Sequence, residues 1–91
     1  MKYICLEHPE THEEEIIVFP RTIDHDCMAE VCSRIKNQSH GQWHRVHRTV
    51  VSAGFVDLRT DGIMRCYGRS ESLNTESRLV DTSILNLQFN R

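Results

Sequence analysis

The chain has 91 residues, of which 38% are hydrophobic and 26% are charged, and its formal net charge is −2. This length suits one small domain, so we expect residues 1–91 to form a single α+β domain with a thin core. The sequence has neither a basic segment followed by a long apolar run nor an apolar stretch long enough to cross a bilayer. We therefore expect a cytoplasmic protein with reduced cysteines.

Charge is distributed unevenly along the chain. Residues 1–30 hold eight acids and two bases, whereas residues 31–69 hold seven bases and two acids. A chain with this pattern can present two surfaces of opposite sign.

The first half of the sequence predicts a β-hairpin followed by a helix. Lys2 to Glu7 and Glu15 to Phe19 are rich in β-branched and apolar residues, and Pro20 ends the second strand. A helix is predicted from Asp24, as its N-cap, to Asn37, with a stop at Ser39-His40-Gly41. Its apolar side would hold Cys27, Met28, Val31, Cys32 and Ile35.

The second half predicts strands and a short terminal helix. Gln42 to Val51 and Phe55 to Arg59 are predicted strands with a bulge at Ala53-Gly54, and Ile63 to Tyr67 returns after a turn at 60–62. A polar loop from Gly68 to Arg78 leads to a helix that Asp81 would cap, with Ile84, Leu85 and Phe89 toward the core. The predicted fold is a small, mostly antiparallel sheet with one main helix packed on it and a short C-terminal helix.

The stretch DHDCMAEVC, residues 24–32, combines acids, a histidine and two cysteines. Acids in a first helical turn stabilise the helix by themselves, and Cys27 and Cys32 lie about 140° apart on a helical wheel. The helix start is thus the favoured interpretation. A metal-dependent nuclease built on Asp24, Asp26 and Glu30 stays an alternative.

Other histidines and cysteines give weak signals. Cys5, His8 and His12 have ligand-like spacing, as do His40, His44 and His47, but no CxxC element accompanies them. Cys66 with a histidine would form a thiol dyad, without any local signature. We expect no metal, no cofactor and no enzymatic activity.

Two charged segments are candidate binding surfaces. The first, around Glu13, Glu14 and Glu15, is acidic and would match a basic groove in a partner protein. The second is the predicted strand around Trp43. Its aromatic side chain would stack on a base, and its arginines would hold phosphates. The predicted partner-binding residues are Glu13, Glu14, Glu15, Asp26, Glu30, Trp43, Arg45 and Arg48.

Three segments carry a resemblance: FPRTIDHDCMAEVC, VSAGFVDL and CYGRSESLNTESRLVDT. They resemble small phage and prophage open reading frames with similar FPRSIDHDxMA and GRSESL patterns. In size and cytosolic character the chain is also similar to small anti-CRISPR proteins, the type I inhibitors of phages that infect Gram-negative bacteria. That resemblance implies a non-enzymatic inhibitor in the host bacterial cell, which blocks target DNA binding by a Cas surveillance complex and touches its guide RNA. The alternative is a small RNA- or DNA-binding protein that uses Trp43, Arg45 and Arg48.

Overall fold

The computed structural model describes residues 1–32, 34–39 and 42–90, and for residues 34–39 and 42–47 it describes the backbone alone. The fold is α+β and mostly antiparallel, which confirms the predicted class. Its elements in chain order are β1 (Lys2–Glu7), β2 (Glu14–Phe19), α1 (His25–Cys32), β3 (Arg34–Ser39), β4 (Gln42–His47), β5 (Thr49–Leu58), β6 (Met64–Tyr67), β7 (Arg69–Ser70), β8 (Thr75–Glu76) and α2 (Leu79–Phe89).

A four-stranded antiparallel sheet in the order β2-β1-β5-β6 forms the body. The predicted β1–β2 hairpin is confirmed, with Cys5 opposite Ile16. The predicted bulge is displaced, because the β1–β5 register shifts between Cys5 and Leu6, which leaves Val51 unmatched. Gly54 instead allows a close strand approach, since a Cβ there would clash with the carbonyl oxygen of Tyr67.

Each face of this sheet is covered by a different helix. The face under α2 buries Tyr3, Cys5, Ile16, Val56, Cys66 and Leu85. The face under α1 buries Ile4, Leu6, Phe19, Ala29 and Ala53. The strand β1 runs through the middle and has four consecutive buried residues, which explains why its sequence is apolar on both faces.

The helix predicted as the main one is shorter than expected, because α1 has eight residues and the C-terminal α2 has eleven. It ends at Cys32, and residues 34–37 of the predicted helix belong to strand β3, which pairs with β4. A short segment of mixed polar and apolar residues fits the periodicity of a helix and also that of a strand. Pairing with a neighbouring strand then decides between the two structures. The predicted apolar side of α1 is confirmed in part. Met28 and Cys32 pack against the core, but Cys27 is exposed and Val31 is 71% exposed, and the side chain of Ile35 is outside the described part of the structure. His25 and Ala29 are the buried residues of the helix.

Other boundaries need smaller corrections. The predicted strand from 42 to 51 is interrupted at Arg48, where β4 gives way to β5. The loop from Gly68 to Arg78 contains the two-residue strands β7 and β8. Of the predicted helix stop, His40 and Gly41 lie outside the described residues.

The N-cap of α2 lies three residues earlier than predicted. Arg78 is the N-cap, and Asp81 lies at the third helical position, where its carboxylate accepts the Arg78 backbone N–H at 2.9 Å. Leu85 is fully buried and Ile84 packs beside it, as predicted. Phe89 is 57% exposed, so its predicted core position is wrong.

Side chains of α2 also bond both edges of the sheet. The Gln88 amide pairs with the backbone N–H and carbonyl of Ile16 on β2, at 2.9 and 2.8 Å. The Asn86 amide does the same for Met64 on β6, at 3.1 and 2.8 Å. Residues two apart on a helix point in nearly opposite directions, so one helix reaches both edge strands. These hydrogen bonds satisfy backbone N–H and carbonyl groups at the sheet edges that would otherwise pair with a strand of another chain.

Candidate functional site

A row of aromatic residues crosses the sheet on the α1 side. Phe19 on β2 is opposite Lys2 on β1, Lys2 is opposite Phe55 on β5, and Phe55 is opposite Tyr67 on β6. Directly opposed residues in antiparallel strands share a face, so all four lie on the same side of the sheet. The eight-residue α1 is too short to cover this whole row, and Phe55 and Tyr67 stay partly exposed.

His25 joins the start of α1 to this row. Its ring is only 4% exposed and lies edge-on to Phe19 and Phe55, with centroid distances of 5.5 and 5.6 Å. The Nε2–H of His25 donates to the Gly54 carbonyl oxygen at 2.8 Å. This histidine therefore holds the helix on the sheet and fixes one side of the Phe55 ring.

We call Phe55, Tyr67, Arg21 and Arg65 the aromatic platform. The Phe55 and Tyr67 centroids are 5.9 Å apart, with ring planes tilted by 31°. The Arg21 guanidinium lies 5.7 Å from the Phe55 centroid, and that of Arg65 lies 5.8 Å from the Tyr67 centroid. Both arginines are exposed, and each guanidinium lies over one of the two partly exposed rings.

A groove of about 430 Å³ lies beside the platform. Its cations are Lys2 and Arg69, and its acids are Asp24 and Glu71. The Lys2 ammonium donates to the Ile23 carbonyl at 3.0 Å, and Arg69 is 3.6 Å from the Glu71 carboxylate. The Glu71 side chain is 87% exposed, so that ion pair is weak and an anionic ligand can displace it.

The opposite face of the sheet holds a buried charged network around Arg78. Its guanidinium contacts the Asp81 carboxylate at 2.9 Å and the Glu14 carboxylate at 2.5 Å. The Tyr3 hydroxyl donates to the second Asp81 oxygen at 2.6 Å. Asp81 and Tyr3 are fully buried, so these contacts join α2, β1 and β2 inside the core.

The network shifts the pKa values of its members. The hydrogen bond from Arg78 holds the pKa of Glu14 below its ordinary value. Burial alone would raise the pKa of Asp81, but hydrogen bonds from Tyr3 and the Arg78 backbone outweigh burial and lower it. Burial first, and then the neighbouring Asp81, raise the pKa of Tyr3. Glu14 and Asp81 are therefore ionised at neutral pH and bound to partners.

The cysteines beneath α2 are poor nucleophiles. Burial raises the pKa of Cys5 to about 12 and that of Cys66 to about 11. A thiol that stays protonated does not attack at neutral pH, so the structure gives no support to the Cys66 dyad that the sequence left without a signature.

The predicted acidic surface is divided in the structure. Glu13 is exposed, but Glu14 bonds Arg78 and Glu15 bonds Arg48, with 2.8 Å between the Glu15 and Arg48 side chains. Asp26 and Glu30 lie on the exposed side of α1, as predicted.

The predicted basic strand is only partly described. Arg48 has a side chain that is 13% exposed and bonded to Glu15, so the prediction that it lies on a face opposite the acids is wrong. Trp43 and Arg45 lie on β4, and their side chains are outside the described part of the structure. The platform residues were not among the predicted site residues. The turn at 60–62 would have placed Phe55 opposite Tyr67, but no local signal brings Arg21 there.

Potential metal ligands meet in one place among the described residues. Asp24, Asp26 and Cys27 bring ligand atoms within 4.8 Å of one another, and all three are exposed. Acids at a helix start also stabilise the helix without an ion, so this cluster does not by itself indicate a metal site. Cys5, His8 and His12, whose spacing is ligand-like, are not brought together, since Cys5 is in the core and the His12 side chain is 73% exposed.

No family model, curated protein or solved structure matches this chain. Within the residues that the structure describes, no helix is both long and apolar enough to span a membrane. The geometry of the site is therefore the basis for a functional conclusion.

Proposed function

We propose that this chain is a non-enzymatic protein that binds single-stranded nucleic acid on the aromatic platform. The observation that carries the proposal is the partly exposed pair of Phe55 and Tyr67, with the exposed guanidinium groups of Arg21 and Arg65 over their rings. Proteins that bind single strands stack bases on aromatic side chains of a sheet and hold the phosphates with nearby cations. A small nucleic-acid-binding protein is the alternative function predicted from the sequence, but the binding residues proposed here are different from the predicted ones.

The location of the platform supports this proposal. Every base has a flat face, so stacking on Tyr67 or Phe55 requires no particular sequence. Arg69 and Lys2 line the adjoining groove and place two further cations within reach of a phosphate backbone. His25 and the sheet hold Phe55 in place before any ligand arrives, which reduces the entropic cost of binding.

Fluorescence anisotropy with a labelled single-stranded oligonucleotide tests the proposal. We expect Tyr67→Leu to weaken binding about ten-fold, because stacking contributes ~1–3 kcal/mol per base. Phe89→Leu is the matched control, since Phe89 is an exposed aromatic residue on α2. Equal affinities for wild type and Tyr67→Leu, with both folded by circular dichroism, would exclude the platform as the binding site.

A second candidate is the predicted phage inhibitor that binds a Cas surveillance complex, and one observation favours a protein partner. A groove of about 550 Å³ lies between β2 and α2, with Glu13 and Leu87 among its lining residues. Leu87 is 71% exposed, and Glu13 is exposed. An apolar residue beside an acid suits a basic, partly apolar segment of a protein.

An affinity pull-down from a lysate with an active type I surveillance complex tests this candidate. Cas subunits retained by the wild type but not by Glu13→Lys would support it. Arg59→Glu, which changes charge to the same extent at an exposed turn on β5–β6, is the control. Retention of nucleic acid without Cas subunits would exclude this candidate and favour the platform.

A further inference from the structure

The two-stranded ribbon of β3 and β4 has an uneven distribution of charge. Arg34 is opposite His47, Lys36 is opposite Arg45, and Gln38 is opposite Trp43. These three pairs alternate along the ribbon with three uncharged pairs, which are Ile35–Val46, Asn37–His44 and Ser39–Gln42. Opposed residues share a face and neighbouring residues do not. The register therefore places all three formal cations of the ribbon on one face, together with Trp43.

The register brings like charges together. Lys36 and Arg45 are directly opposite each other, and like charges at such positions destabilise a sheet. The twelve residues of β3 and β4 include no acid that would offset the repulsion within the ribbon. A bound polyanion removes the repulsion and at the same time gains attraction from each cation.

The base of the ribbon is fixed on the body. Arg48, which follows β4 directly, donates to the Cys32 carbonyl at 2.9 Å, and Cys32 is the last residue of α1 before the ribbon. The same guanidinium bonds Glu15 on β2 at 2.8 Å. Arg48 therefore joins both ends of the ribbon to the sheet, and its charge is already paired.

The ribbon and the platform lie at opposite ends of the same helix. His25 starts α1 beside Phe55, and Cys32 ends α1 beside Arg48. Eight helical residues span about 12 Å at 1.5 Å each. The two elements are therefore separated by about the length of this helix.

We propose that the basic face of the β3–β4 ribbon binds the phosphate backbone of nucleic acid and extends the site on the aromatic platform. This inference rests on the proposed function, since the ligand is the same. Two-stranded ribbons bind both duplex grooves and single strands through such faces, and the shared chemistry is the phosphodiester backbone.

The salt dependence of binding tests the ribbon separately from the platform. The double variant Lys36→Gln/Arg45→Gln should reduce the slope of log affinity against log salt by about 1.4 for a single strand, or about 1.8 for a duplex. Asn37→Gln/His44→Gln, a pair on the other face, should leave the slope unchanged. Arg59→Gln removes one cation from the distant turn, which is half the charge change of the ribbon variant, and should also leave the slope unchanged. Each variant is measured with a single-stranded and a double-stranded oligonucleotide of equal length.

The outcomes separate the two proposals. A slope that is reduced for the ribbon variant but not for either control supports the inference. The oligonucleotide for which the slope falls more, single-stranded or double-stranded, is the form of nucleic acid that the ribbon prefers. An unchanged slope, in a variant whose thermal midpoint is not below that of the wild type, overturns the inference. The proposed function still stands in that case if Tyr67→Leu weakens binding. If the ribbon variant changes binding and Tyr67→Leu does not, the proposal that the platform binds nucleic acid is wrong, and the ribbon is the binding site.

Discussion

The two faces of the β2-β1-β5-β6 sheet use similar residue types for different purposes. Under α2, the cation Arg78 is surrounded by Glu14, Asp81 and Tyr3, and its bonds are made within the chain. Beside α1, the cations Arg21 and Arg65 lie over aromatic rings and are exposed. The difference follows from how much of each face its helix covers. Charges beneath a helix stabilise the fold, and charges beyond its end are available to a ligand.

The largest expected effect comes from breaking the α2 side. Arg78→Met leaves Asp81 and Glu14 without their cation, and Asp81 is fully buried. We expect the free energy of unfolding to fall by about 2–4 kcal/mol, less than for a fully buried pair because Arg78 and Glu14 are partly exposed. Urea denaturation measures the change, with Arg59→Met at an exposed turn as the control. A loss no larger than that of the control would contradict the structural role of the network.

Arg78→Met also tests whether the two faces of the sheet act independently. At a temperature where Arg78→Met stays folded, we expect its affinity for a single-stranded oligonucleotide to match that of the wild type. The network lies on the other side of the sheet from the platform, so it has no contact with the proposed ligand. An affinity loss as large as that of Tyr67→Leu would show that the faces are not independent.

Low pH should reduce the stability of the folded protein by protonating two carboxylates on the α2 side of the sheet. Glu14 and Asp81 have lowered pKa values in the folded state, against about 4 in the unfolded chain. Their stabilising contribution is complete above that value and is lost as the pH falls through the folded-state pKa values. We expect urea midpoints between pH 7 and pH 3 to fall more steeply for the wild type than for Arg78→Met. Parallel curves would contradict the assignment.

A smaller effect is expected at the edge of the sheet. Gln88→Leu removes two hydrogen bonds to Ile16 and should cost about 1–2 kcal/mol. Hydrogen exchange at the Ile16 amide should accelerate, while exchange at Met64, which Asn86 protects, should not. Ser83→Ala, at an exposed position on the same helix, is the control. An unchanged Ile16 exchange rate would contradict the capping of this edge.

Cysteine labelling should leave stability unchanged and report on burial. Cys27 is exposed, whereas Cys5 and Cys66 are buried with raised pKa values. In native protein we expect a thiol reagent to modify Cys27 first and to reach Cys5 and Cys66 only on unfolding. Mass spectrometry of digested samples identifies the order. Early modification of Cys66 would contradict the packing under α2.

Local patterns predicted the elements whose signals are local. The β1–β2 hairpin followed from apolar strands ended by Pro20, and the β5–β6 hairpin followed from its turn at 60–62. The start of α2 was misplaced because Asp81 belongs to a capping box in which the N-cap is Arg78, an uncommon residue there. An acid at the third helical position therefore looked like the cap itself.

Elements that depend on distant partners were harder to predict. Residues 34–39 fit a helix and a strand equally well, and only pairing with 42–47 decides for the strand. The acids Glu14 and Glu15 looked like a free surface, because their partners Arg78 and Arg48 are far away in sequence. The platform needs the sheet register and the loop that carries Arg21, neither of which is a local property.

The central claim is that ligand binding belongs to the α1 side of the sheet. The most direct measurement is a titration of isotope-labelled protein with a short single-stranded oligonucleotide, followed by amide chemical shifts. We predict that the perturbed amides cluster at Arg21, Phe55, Arg65 and Tyr67, while those at the α2 N-terminus around Arg78 stay in place. Perturbations confined to α2, or none at all at saturating oligonucleotide, would contradict the account.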